Sequence, residues 1–260
     1  RGWFPGGTLN TAHNCLDRHV AAGRGDAVAL IYDSPVTGTV ARFTYAELLD
    51  EVTRVAAMLA SLGVGKGDRV CLALPNCPEF IVAYWATLRL GAVVAPVNTR
   101  LRADELQYVL KNCDPKVVVV HEQTAAATCE ALAAEGLAPH VLAAGEARGS
   151  AGKAGSSAGF QLAALDLEAL GGLGARTTNA DIATDDLAVI LHTSGTTGVP
   201  KGAMMRHSDL LFNVWNAILA HSLRHEDRHL LVIPCFAPTA SYSLLASCAY
   251  LGAAIVIAPR

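Results

Sequence analysis

Eleven consecutive residues, His192-Thr193-Ser194-Gly195-Thr196-Thr197-Gly198-Val199-Pro200-Lys201-Gly202, gather most of what this sequence offers for chemistry at one place. Three glycines let a backbone turn tightly and approach a ligand closely, four hydroxyls are neutral donors, and Lys201 adds a positive charge. Such a set suits the oxygens of a polyphosphate, with the ammonium group placed to meet charge gathering on a departing pyrophosphate. Gly/Ser/Thr-rich segments between strands are usually plain turns. The ordered string, with Pro200 fixing the backbone just before Lys201, sets this one apart. It is not the common GxxxxGK[ST] loop, which needs Gly before the Lys and a hydroxyl after it, where this chain has Pro200 and Gly202. Thr193, Ser194, Gly195, Thr196, Thr197, Gly198 and Lys201 are the phosphate-binding candidates, and Lys201 and Thr193 those expected to act on the reacting phosphate.

Other reactive side chains have plainer readings. His221, His225 and His229 recur every four residues with Glu226 and Asp227 between them, a spacing that could serve a metal on one helix face. Their polar context fits a helix end running into an exposed turn instead, and no metal site is assigned. His207 precedes Ser208, a plausible N-cap for a helix through Asn213 and Ala220, so its expected job is local structure. Phe212 and Trp215, at helical spacing, are expected in the core. Nothing beside Cys235 would activate it as a nucleophile.

The elements that must hold the glycine-rich string alternate between helical and strand-like periods, which predicts an α/β fold with much parallel pairing. Thr44-Tyr-Ala-Glu47 reads as a capping box, and Leu48, Leu49, Val52, Val55, Ala56, Leu59 and Leu62 form one helical face ending at Gly63. Strands are predicted at Arg69 to Leu74, Val93 to Pro96, Val117 to His121 and Leu187 to Leu191, and helices up to Leu90, over Ala103 to Asn112 and over Thr124 to Glu135. Such strands should be buried on both faces. Residues 144–159 are small and aperiodic and read as a flexible surface loop. Ser243 to Pro259 is apolar, but Gly252 divides it into a helix-like and a β-branched half, so a buried helix-then-strand is expected rather than a membrane span.

With 52% hydrophobic residues the chain can bury a core, and a net charge of -3 without charge runs gives no footprint for nucleic acid or an anionic membrane. Seven scattered cysteines without CxxC pairs read as reduced core residues of a cytoplasmic protein. The opening Arg1-Gly-Trp-Phe-Pro has neither an initiator Met nor a signal-peptide pattern.

Thr193 to Gly202, TSGTTGVPKG, resembles the signature loop of the adenylate-forming (AMP-binding) superfamily, which includes acyl-CoA synthetases, firefly-type luciferases and peptide-synthetase adenylation domains. Similar strings stand at Asn14-Cys-Leu-Asp-Arg-His19, Phe43-Thr-Tyr-Ala-Glu-Leu48, Leu74-Pro-Asn-Cys-Pro-Glu-Phe80, Gly91-Ala-Val-Val-Ala-Pro-Val-Asn98 and Met205-Arg-His207. Ile233-Pro-Cys-Phe236 is similar to the segment that borders the family's acyl pocket. Phe236 and Ala237 are therefore acyl-pocket candidates. Ala237 stands where the family usually has His, and a smaller side chain there would widen the pocket or alter how the carboxylate enters it.

The resemblance implies a first part of a large N-terminal domain of sandwiched sheets and helices, some strands lacking partners, and an enzyme of the acyl-CoA synthetase or fatty-acid–CoA ligase type. It implies ATP, Mg²⁺ and coenzyme A acting on a carboxylic acid, by way of an acyl-adenylate. An adenylation domain that loads a carrier protein and a non-catalytic nucleotide-binding remnant are the alternatives. The family's Mg²⁺-binding Glu, ribose-binding Asp, hinge and C-terminal catalytic Lys lie downstream of the matched region, so residues 1–260 read as a partial domain, with the C-terminal domain absent and no turnover expected alone.

Overall fold

The structure, a computed structural model, describes residues 10–36, 38–144, 156–157, 160–165, 177–193 and 200–259. After a helical opening stretch over 11–24 come β1 (Val28–Ser34), β2 (Thr39–Thr44), α1 (Tyr45–Ser61), β3 (Arg69–Ala73), α2 (Pro78–Arg89), β4 (Val93–Pro96), α3 (Ala103–Cys113) and β5 (Val117–His121). Then follow α4 (Glu122–Ala134), β6 (His140–Ala144), β7 (Ser156–Ser157), β8 (Phe160–Ala164), β9 (Leu187–Thr193), β10 (Lys201–Arg206) and α5 (His207–His221). β11 (Arg228–Leu231), a helical turn Thr239–Leu245, α6 (Ala246–Leu251) and β12 (Ala254–Ile257) complete it.

Among the described residues the strands form an eight-stranded sheet, ordered β10-β9-β4-β3-β5-β6-β8-β7, and a four-stranded sheet, ordered β11-β12-β1-β2. From β9 across to β8 every pairing is parallel, with antiparallel β10 and β7 at the margins. This is the α/β fold with much parallel pairing that the alternation predicts, and it has the sandwiched sheets and helices that the resemblance implies. In β3 the side chains divide by period two: Val70 and Leu72 pack in one core with α1 and α2, while Cys71 and Ala73 pack in another with α3 and α4.

The helices form for local reasons. Thr44 Oγ1 accepts from Glu47 N at 3.2 Å and Glu47 Oε2 from Thr44 N at 2.8 Å, so α1 starts with the expected capping box. It ends before Gly63, whose φ of 82° a side chain would strain. α2 has almost no polar face, and residues 79–89 are buried throughout. Its one buried cation, Arg89, is held by Asp17 at 2.9 and 3.0 Å and gives its Nε to Thr177 O at 2.9 Å, which ties the opening stretch to the strand-facing helix.

Ser243 to Pro259 folds as expected, α6 then β12 with Gly252 between them, and among the described residues no helix is long and apolar enough to cross a membrane. The last carbonyls of α6, which no helix can satisfy internally, are collected by distant side chains. His19 Nε2 lies 2.8 Å from Ala249 O, Arg18 reaches Tyr250 O, and Arg24 donates to Leu251 O and Gly252 O at 3.3 and 2.8 Å. Gly252 has φ 76°, and a Cβ there would lie 2.6 Å from the Arg24 guanidinium and 2.9 Å from the His19 ring. Gly252→Ala is therefore expected to cost about 2 kcal/mol, from a left-handed backbone plus displacement of the capping side chains. Urea unfolding of the chain measures it, and an unchanged midpoint would refute the capping role.

Three readings need correction. Phe212 and Trp215 are 71% and 51% exposed, because α5 buries Leu210, Val214, Ala217 and Ile218 on its inward face and carries those aromatics elsewhere. α5 also starts two residues early: its N-cap is Arg206 rather than Ser208, and Arg206 N donates to Asp209 Oδ2 at 3.0 Å. Most of the small-residue stretch lies outside the described residues, but Ala144 and Ser156–Ser157 belong to strands rather than to a loop.

Candidate functional site

β9 runs two residues further than its apolar run suggests. Thr193 pairs with Lys201 and His192 with Gly202 across the antiparallel β9–β10 ladder, so both ends of the expected loop are strand. The polar residues are drawn into the sheet by the partner strand's backbone, which local pattern does not register. Ser194, Gly195, Thr196, Thr197 and Gly198 lie outside the described residues. Thr193 and Lys201 are both exposed, their Cα atoms about 5 Å apart as facing residues of an antiparallel pair. Lys201 has no ion-pair partner among the described residues and faces solvent.

The base of this hairpin is braced. His192 Nε2 lies 3.1 Å from Asn112 Oδ1 at the end of α3. A Cβ on Gly202 would stand 3.1 Å from that ring nitrogen, 3.1 Å from Ile190 Cγ2 and 3.2 Å from Asn112 Oδ1, so here glycine answers to crowding. Burial holds the His192 imidazole below the usual histidine range, which favours the neutral ring in this brace.

The parallel order decides what lies beside the hairpin. Val70 in β3, Val94 in β4 and Val189 in β9 share one level, and Thr193 and Asn76 lie beyond it at the carboxyl edge. Two strand spacings, roughly 10 Å, separate β3 from β9. Open parallel sheets hold ligands at this edge, and the connections after β3 and β4 leave toward opposite faces, α2 packing in one core and α3 in the other.

From the end of β3, Asn76 reaches across the chain. Its Nδ2 donates to Ile233 O at 3.0 Å and its Oδ1 accepts from Cys235 N at 2.6 Å. Ala237 N donates to Pro234 O at 2.9 Å, closing a turn that carries Phe236, and both Phe236 and Ala237 are half-buried. The fold thus brings Phe236 and Ala237 to the same sheet edge as Thr193 and Lys201. Asn76 was legible in the sequence only as part of a family string. The available signal was an amide side chain confined between Pro75 and Pro78 beside an apolar strand, since a buried amide needs partners.

The remaining candidates stay apart. Burial pushes the Cys235 thiol up to about 12, which keeps it protonated and unreactive. His221 ends α5, His225 stands beside Glu226 in the turn that follows, and His229 lies on β11, so their four-residue spacing is broken by a change of element. Among the described residues no three His, Cys, Asp or Glu side chains converge as a metal-ligand set.

Known proteins are similar to this chain in sequence and fold. A crotonobetaine/carnitine–CoA ligase of Salmonella typhimurium is 36% identical over 214 residues, which are 82% of this chain and 40% of that protein. ATP-bound MatB from Rhodopseudomonas palustris superposes with a TM-score of 0.75 at 25% identity, covering 96% of this chain and 45% of that one. A benzoate CoA ligase from Burkholderia xenovorans shares the fold, with a TM-score of 0.77 at 22% identity over 96% of this chain and 45% of its own. The chain spans less than half the length of these three proteins. With the AMP-binding enzyme family matched over residues 17–260, the chain belongs to that family of AMP-binding enzymes.

Proposed function

We propose that the whole protein activates a carboxylic acid with ATP and passes the acyl group to coenzyme A, and that this chain supplies the triphosphate grip and one wall of the acid's pocket. The observation that carries the reading is the shared edge: Thr193 and Lys201 on the hairpin, Phe236 and Ala237 on the turn held by Asn76. A carboxylic acid with pKa about 4 to 5 is ionised at neutral pH, so its attack needs no general base. Positioning and charge neutralisation are the work left to the protein.

One carboxylate oxygen bonds to the α-phosphorus as the bond from that phosphorus to the bridging oxygen breaks, and pyrophosphate departs with both electrons. Lys201 offsets charge on the departing oxygens, and Thr193 offers its hydroxyl beside it. The thiol of coenzyme A then replaces AMP at the acyl carbon. Phe236 and Ala237 suit an apolar acyl group of the fatty or a related organic acid type. Seven buried free thiols fit a reducing compartment such as the cytoplasm.

Acid-dependent exchange of labelled pyrophosphate into ATP tests the reading. The whole protein should show it, residues 1–260 alone should not, and AMP should form in step with the CoA thioester. ATP binding without acid-dependent exchange by the whole protein would make it a non-catalytic nucleotide binder and overturn the proposal.

A further inference from the structure

We infer that Asn76 is a positioning residue for the acid side of the site: its carboxamide seats the turn that carries Phe236 and Ala237, and so fixes where the carboxylate meets the nucleotide. This rests on the adenylation reading above.

Asn76 is 2% exposed and joins segments 157 and 159 residues apart. Its two hydrogen bonds go to the polar groups on either side of Pro234, which itself has no N–H to give. The carboxamide therefore meets the turn as a peptide unit of a neighbouring strand would, donor to acceptor and acceptor to donor. Pro75 and Pro78 restrict the backbone on both sides of it.

Downstream, Ala240 N and Ser241 N both donate to Ala237 O, at 3.0 and 3.1 Å, so the turn passes directly into the helical turn Thr239–Leu245. The tilt of Phe236 thus follows from two bonds made by one side chain. Without them the Cys235 N–H and Ile233 carbonyl lose their partners, Cys235 being 1% exposed, and the turn must shift to satisfy them. A displacement of about 1 Å is enough to spoil an attack geometry. Asn76 makes no described hydrogen bond to β9 or β10, so the triphosphate side should not feel the change.

The test compares Asn76→Ala and Asn76→Asp with the parent in the whole protein, using pyrophosphate exchange driven by hexanoate and by benzoate. Asp keeps an acceptor for Cys235 N–H but sets a carboxylate oxygen against Ile233 O. Both variants should raise the KM for the acid about tenfold or more while the KM for ATP stays within about twofold. Parallel rises in both constants, or no change in either, would overturn the assignment. If the variants fail to fold, or neither acid supports exchange, amide hydrogen exchange of the unaltered chain decides. The Cys235 amide should exchange at least about 100-fold slower than its unprotected rate, and an unprotected amide sinks the inference. Absence of exchange with any acid would count against the adenylation reading, while Cys235 protection reports on the clamp alone.

Discussion

Lys201→Ala is expected to lower acid-dependent pyrophosphate exchange by the whole protein about 100- to 1000-fold, the usual effect of deleting one preorganised partner of transition-state charge. The charge on a departing pyrophosphate appears only as the α-phosphorus bond breaks, so a cation placed for it acts on the rate more than on ATP affinity. Lys201 opens β10 opposite Thr193, is exposed, and contributes nothing to either core. Its removal should shift the stability of the chain by no more than about 0.5 kcal/mol. Lys201→Arg should recover only part of the rate, because a planar guanidinium cannot occupy the position of a compact ammonium. Exchange kinetics and urea midpoints on the same preparations separate the outcomes. A variant that adenylates normally would remove the phosphate role, and a midpoint that falls with the rate would make Lys201 structural.

What could be read in the sequence is what neighbours in the chain decide among themselves. The capping box at Thr44 and Glu47, the strands Val93–Pro96 and Val117–His121 and the stop at Gly252 all follow from contacts within a few residues or from a backbone only glycine tolerates. The glycine-rich string was legible for the same reason. Its boundaries were not, because His192, Thr193, Lys201 and Gly202 are strand only through pairing across the hairpin. Helical period placed Phe212 and Trp215 on one helix but could not say which face turns inward, and the inward face belongs to Leu210 and Val214. Contacts across a hundred residues or more, Asn76 to the 233–235 segment and Arg18, His19 and Arg24 to the end of α6, leave no trace of their partners in the local sequence. These long contacts seat the turn that carries Phe236 and Ala237 and cap α6, so the sequence described the placement of that turn least.

His207 shows how such a long contact turns into a measurable property. The expected role was local, but the contact is long-range: the side chain is 0% exposed, with Nδ1 2.7 Å from Thr11 Oγ1 and Nε2 without a hydrogen-bond partner among the described residues. Burial lowers its pKa from 6.5 to about 4, outweighing the pull of the Asp186 carboxylate, whose charge Lys66 shares at 2.5 Å. The unfolded chain therefore binds a proton near pH 6.5 that the folded chain refuses until about pH 4. Stability is full above pH 6.5 and falls as pH drops between those values, by about 3 kcal/mol in all and about 2 kcal/mol between pH 7 and pH 5. His207→Gln cannot titrate, so it should lower stability at pH 7 yet lose about 2 kcal/mol less than the parent on going to pH 5. His19 and His192 are also held low by burial and leave a residual slope in both proteins. Urea unfolding followed by tryptophan fluorescence at the two pH values measures the difference. Equal losses in parent and variant would mean that His207 takes up its proton at the same pH folded as unfolded, and the burial argument would fail.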